Sequence, residues 1–250
     1  MRTTIQDKLH QIENTEGIKI LFACESGSRG WGFPSPDSDY DIRFIYTHPF
    51  DKYISVKRPA EQFTFPINNE LDISGWDLQK TLGLICKSNS AVFEWLQSPI
   101  VYKDEMAFKE DLLQLCLNYV CPRSIMHHYL GITKGGMATI NEDKLKLKKL
   151  FYILRSLLSA RWYADKGTIA PMNIVPLMEL FPINLKEKIT PLIELKASAD
   201  ESFTLEPDND IKIWITETFE YCTHKAELLD KKQFDTGVVD EFFRKILINK

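Results

Sequence analysis

Three carboxylates carry the chemistry of this sequence. Asp39 and Asp41 stand in Ser38-Asp39-Tyr40-Asp41, and Asp72 lies between Leu71 and Ile73. Side chains alternate along an extended chain, so Asp39 and Asp41 are expected to point the same way, with Cβ atoms roughly 6.5–7 Å apart. Like charges that close coexist only with a cation or a proton between them. Carboxylate oxygens suit Mg²⁺, and three acids on neighbouring strands would serve two ions about 3.5–4 Å apart, the arrangement that clamps an in-line displacement at phosphorus. Ahead of the pair, Gly27-Ser28 follows an apolar run. Backbone N–H groups in such a turn form an anion-binding concavity, and glycine lets a phosphate approach the main chain. Arg29 and Arg43 are the nearby cations, and each suits a salt bridge to these aspartates as well as it suits a phosphate. Taken singly, every one of the three acids also suits a solvent-facing strand end.

These residues need a sheet to hold them. Ile18 to Ala23 reads as a buried strand, ending at the small-residue turn Glu25-Ser26-Gly27-Ser28. The chain becomes extended again from Ser38 through Ile42, Phe44, Ile45 and Tyr46. Phe63 to Ile67 and Leu71 to Ile73 suit the arms of a hairpin around Asn68-Asn69, although Pro66 weakens the first arm. In front of the sheet, Ile5, Leu9 and Ile12 mark an amphipathic helix over Thr4 to Asn14. The period turns helical from Trp76, and Asn89 suits a helix N-cap. Everything beyond Lys103 reads as helix, with breaks at Pro122, Gly135-Gly136, Gly167, Pro171, Pro182, Pro191 and Pro207, of which Pro191 is expected to split or kink the helix over 184–197. The expected fold is α+β: a mixed sheet with flanking helices over residues 1–102, then a helical domain over 103–250.

The helix expected from Glu142 to Asp165 offers a second wall. At 100° per residue, Lys148, Tyr152, Arg155 and Ser159 share one stripe, while Leu147, Phe151, Leu154 and Leu158 form the core face. A Lys–Tyr–Arg stripe suits a nucleotide, with a merely solvated face as the alternative. Adjacent His127 and His128 should face different ways, one of them toward the core.

Composition narrows the class. The 250 residues are 44% apolar and 26% charged, which marks a globular chain. The net charge of −4 means that a nucleic-acid partner must meet a local basic patch rather than the whole surface. Five cysteines, without a C-x-x-C pair, suggest reduced thiols in a cytoplasmic protein. No apolar run approaches the roughly 18 residues of a membrane span.

The run G-S-R-G-x-G, then S-D-x-D, then a strand carrying Asp72, resembles the signature of the DNA polymerase β-type nucleotidyltransferase superfamily. The longer stretches ESGSRGWGFPSPDSDYDIRFIY, LDISGWDLQK and SNSAVFEWLQSPIVY resemble the branch linked to RNA-repair pathways, and HHYLG and KLKKLFYILRSLLSARW add to it. The resemblance covers roughly residues 18 to 165. It implies a palm-like catalytic domain, an NTP substrate with ATP as the expected one, two Mg²⁺ ions, and release of pyrophosphate. Gly27 and Ser28 would match the phosphate-binding pair, Asp39 and Asp41 the metal-bridging carboxylates, and Asp72 the acid associated with the acceptor hydroxyl. Gly30 stands where many members carry alanine or another small residue. The implied acceptor is an RNA end; a protein hydroxyl or a small molecule is the catalytic alternative, and a nucleotide-binding module without turnover the non-catalytic one.

Overall fold

The computed structural model describes residues 1–67, 70–138, 140 and 144–248. The Asn68-Asn69 turn and the expected helix start at Glu142 lie outside the described residues. In chain order the first elements are α1 (Arg2–Glu16), β1 (Lys19–Glu25), α2 (Gly27–Trp31), β2 (Tyr40–Thr47), α3 (Phe50–Tyr53) and β3 (Gln62–Thr64). Then come β4 (Leu71–Asp77), α4 (Leu78–Cys86), α5 (Ser90–Trp95), β5 (Val101–Asp104), α6 (Phe108–Leu117) and α7 (Pro122–Met137). The last are β6 (Leu145–Lys146), α8 (Leu147–Lys166), α9 (Ile174–Leu177), α10 (Ile183–Ser198), β7 (Thr204–Leu205), α11 (Asn209–Leu228) and α12 (Gly237–Ile248). The α+β fold is as expected, with differences at its joints. Trp76 and Asp77 still belong to strand β4, and the helical period starts only at Leu78. Strand β5 and the short pair β6–β7 fall where helix or linker was expected, and α10 runs unbroken through Pro191.

The described chain separates into two compact units, and neither is contiguous. One comprises Met1–Gly30, Asp39–Tyr119 and Gln233–Lys250; the other comprises Trp31–Ser38 and Val120–Lys232. The sequence suggested a single cut at 102/103. Inspection of periodicity could not show that α6 and the distant α12 return to the first unit.

In the first unit the sheet order is β3-β4-β2-β1-β5. β2 and β4 run parallel; the other pairs are antiparallel. Ile5, Leu9 and Ile12 of α1 are buried with Ile20, Ile42, Phe44, Tyr46 and Ile73 in one core cluster, so α1 covers one face. Full burial of each such side chain contributes about 1.5–3 kcal/mol before entropy is counted. Gly75 has a packing reason within this layer. Its register partner is Phe44, whose ring fills the space that a Cβ at position 75 would need. Period-two alternation then turns Asp41, Arg43 and Asp72 toward the opposite face.

In the second unit α8 is central. Leu147, Leu150, Phe151, Ile153, Leu154, Leu157 and Leu158 are buried, and so are Arg155, Ser156 and Ser159. A helix buried nearly all round has no broad solvated stripe, so the expected off-core position of Arg155 and Ser159 is corrected. Both His127 and His128 are exposed, against the expectation that one faces the core.

Candidate active site

The register of β2 and β4 sets Asp41 directly beside Asp72. Neighbouring strands lie about 4.8 Å apart, so the two carboxylates cannot avoid each other. Arg43, two residues along β2 on the same face, reaches back between them. Its Nη2 donates to Asp41 Oδ1 at 3.1 Å and to Asp72 Oδ2 at 2.7 Å. Its Nη1 donates to the Asp72 carbonyl at 3.0 Å and the Ile42 carbonyl at 3.1 Å. The three side chains are only partly exposed: 25% for Asp41, 27% for Asp72 and 19% for Arg43.

Gly27 forms the near wall. Its φ of +56° is a left-handed conformation that side chains rarely adopt. A Cβ there would also fall on Asp41 Oδ2, so the missing side chain leaves room for that oxygen. The turn is sewn to β2 by Ser26 N–H, which donates to the Asp41 carbonyl at 2.7 Å. What was expected as a bare turn is the first residue of the short helix α2, within which Gly30 N–H donates to the Ser26 carbonyl. Ser28 is buried. Arg29 lies with its guanidinium 3.9 Å from the centroid of the Tyr40 ring, and its Nε donates to the Asp39 carbonyl at 3.3 Å.

Asp39 is exposed and just precedes the strand, which starts at Tyr40 rather than Ser38. It is close enough for its charge to act on Asp41. Burial pushes the Asp41 carboxyl above its ordinary value; Arg43 pulls it down, and Asp72 and Asp39 push it up again.

Glu25 is the residue that sequence reasoning passed over as part of a turn. It ends β1, is fully buried, and accepts the Asp41 N–H through Oε1 at 2.7 Å. Its Oε2 accepts the Tyr102 hydroxyl from β5. Burial raises its carboxyl above the ordinary value, while Tyr102 and the Asp41 N–H act to lower it. The signal was present: an acid that continues the buried run Ile20 to Cys24 has to find partners.

The remaining expected residues belong to the second unit. Lys148 Nζ pairs with Glu201 Oε2 at 2.6 Å. Tyr152 meets the Trp31 ring edge-on at 5.0 Å. Arg155 is 5% exposed, donates through Nε to the Met172 carbonyl at 3.1 Å, and stacks 4.3 Å from the Trp31 ring centroid. Two of these three are thus engaged in packing, and the third in an ion pair.

Among the described residues no three His, Cys, Asp or Glu side chains converge tightly enough to hold a metal ion. The donor chemistry nevertheless fits a hard divalent cation: the acids offer only oxygen, and the Gly27 gap leaves space at Asp41 Oδ2.

The mixed sheet and its family place the chain in the nucleotidyltransferase class. The chain belongs to the RNA repair pathway DNA polymerase beta family, which matches residues 1–245. It is 40% identical over 204 residues to the Bacillus subtilis (strain 168) protein described as "Uncharacterized protein YcgL", covering 80% of this chain and 78% of that one. Solved structures resemble it, two of which follow. A spectinomycin adenyltransferase from Enterococcus faecialis, solved with ATP and spectinomycin, is 14% identical with a TM-score of 0.42, covering 90% of this chain and 99% of that one. A nucleotidyltransferase-like protein from Exiguobacterium sibiricum is 13% identical with a TM-score of 0.31, covering 89% and 74%. No helix among the described residues is long and apolar enough to cross a membrane.

Proposed function

We propose that this protein transfers a nucleoside monophosphate from an NTP, with ATP as the donor, to the hydroxyl of an RNA end, using a divalent cation. The observation that carries the reading is the parallel register that sets Asp41 beside Asp72 next to Gly27. The cation, held at Asp39 and Asp41, would offset the charge of the triphosphate and of the leaving pyrophosphate.

The chain's own residues do the rest. Gly27 brings the main chain close enough for N–H groups to meet the phosphates, and Ser28 continues that cradle. Glu25 holds the Asp41 backbone from beneath, so Asp41 presents its carboxylate without searching. Arg29 braces the Asp39 end of the loop through its carbonyl rather than through a phosphate. Asp72 takes the proton that the acceptor hydroxyl loses. A bond forms between the acceptor oxygen and the α-phosphorus, the bond from that phosphorus to the bridging oxygen breaks, and pyrophosphate leaves with that electron pair. Positioning and charge supply most of the acceleration in such transfers, so little further protein chemistry is required.

Pyrophosphate release from each of the four NTPs, with a single-stranded RNA oligonucleotide as acceptor, tests the proposal. Asp72→Asn is expected to lower the rate by about 10²–10⁴-fold, the usual contribution of a general base. Asp41→Ala is expected to abolish it. Release that survives Asp41→Ala would overturn the reading. Labelled ATP offered to RNA and to total cell protein decides the acceptor, and label on protein alone would replace RNA.

A further inference from the structure

We propose that the Arg43 guanidinium permanently holds one of the two cation positions at this centre, so that the protein takes up one divalent ion and not two. The inference rests on the cation-dependent reading above and changes its stoichiometry.

Geometry carries it. A second ion shared by Asp41 and Asp72 would have to lie between their carboxylates. That position is where Arg43 Nη2 sits, bonded to one oxygen of each acid. The arginine is not a loose visitor. Its Nη1 is tied to two main-chain carbonyls, those of Ile42 and Asp72. Four hydrogen bonds from the two terminal nitrogens fix the planar fork, which is what such a fork does better than an ammonium.

The two acids are left in different states. Asp72 spends Oδ2 on the guanidinium, and its main-chain carbonyl is bound as well. Asp41 gives Oδ1 to the guanidinium and its carboxyl also meets that of Asp72, while its Oδ2 lies where a Cβ at position 27 would fall. The exposed Asp39 carboxylate lies two residues away. Oxygens for an exchangeable ion are therefore offered on the Asp39/Asp41 side, while the Asp41/Asp72 side already holds its positive charge. A guanidinium between two carboxylates also offsets part of the repulsion that would otherwise favour uptake of an ion there.

Mn²⁺ binding to the full chain, with a non-hydrolysable ATP analogue present, tests this. Free Mn²⁺ is counted by electron paramagnetic resonance, a readout independent of turnover. Wild-type protein should saturate at one ion per chain. Asp72→Asn should keep that ion with its affinity unchanged within about twofold, because Asp72 serves Arg43. Arg43→Gln should admit a second ion. Two ions on the wild-type chain would overturn the proposal, and so would loss of the single ion in Asp72→Asn, or one ion only in a folded Arg43→Gln. No saturable binding to wild-type protein would overturn the cation-dependent reading as well. Failure of NTP turnover with one Mn²⁺ bound would overturn the functional reading alone.

Discussion

Gly27 and Gly17 both adopt positive φ, at +56° and +62°, yet only Gly27 has a carboxylate where its Cβ would be. The pair separates strain from site geometry. Gly17→Ala, at the end of α1 with open space around it, should cost about 1 kcal/mol of stability and leave nucleotidyl transfer alone. Gly27→Ala should cost about 1–3 kcal/mol and also displace Asp41, so its activity should fall far more than its melting temperature. Thermal melts and pyrophosphate release on both variants check this. Glu25 adds a test in pH. Its raised carboxyl binds a proton more tightly in the folded chain than in the unfolded one. Its contribution is therefore full below the ordinary value of 4.5 and is lost as pH climbs through the higher folded value. Asp41 and Asp77, also raised by burial, slope the same way. Urea midpoints of wild type minus Glu25→Gln, plotted from pH 4 upward, should therefore fall with pH. A flat difference would place the Glu25 proton elsewhere.

The strands were legible because their signals are local. An apolar run names β1, alternation names β2, and an acid between Leu71 and Ile73 names β4. Asp41 and Asp72 were legible for the same reason. Neighbouring strands were expected to bring them together, but the register was not legible, since no local pattern states that β2 and β4 pair in parallel with residue 41 opposite 72. Helix α8 shows the opposite failure. Its periodicity offered a stripe through Lys148, Tyr152 and Arg155, but Arg155 is buried against the Trp31 ring and the Met172 carbonyl. Tertiary contact overrode the amphipathic reading. Arg155→Ala should accordingly lower stability by about 2–3 kcal/mol, since it removes a buried hydrogen bond and a cation–π contact. Lys148→Ala removes a half-exposed ion pair and should cost under about 1 kcal/mol. Urea denaturation of the two variants compares them directly.

The two units give the molecule an order of assembly. α12 (Gly237–Ile248) supplies Phe242 to Phe108 and Phe243 to Tyr53, and Tyr119 donates to the Asp235 carbonyl. A chain stopped after Lys232 should lose these contacts. Its first unit should then melt earlier, while helices of the second unit, such as α7 and α8, keep their hydrogen-exchange protection. During synthesis the order matters further. The acids and Arg43 leave the ribosome early, but the ring-bearing strap that closes their unit is translated more than a hundred residues later. For that interval α3, α4 and α6 lack the helix that packs on them, and the second unit, whose main stretch is continuous, can be complete first. A nucleotide offered to ribosome-bound intermediates should therefore find no binder until α12 has emerged.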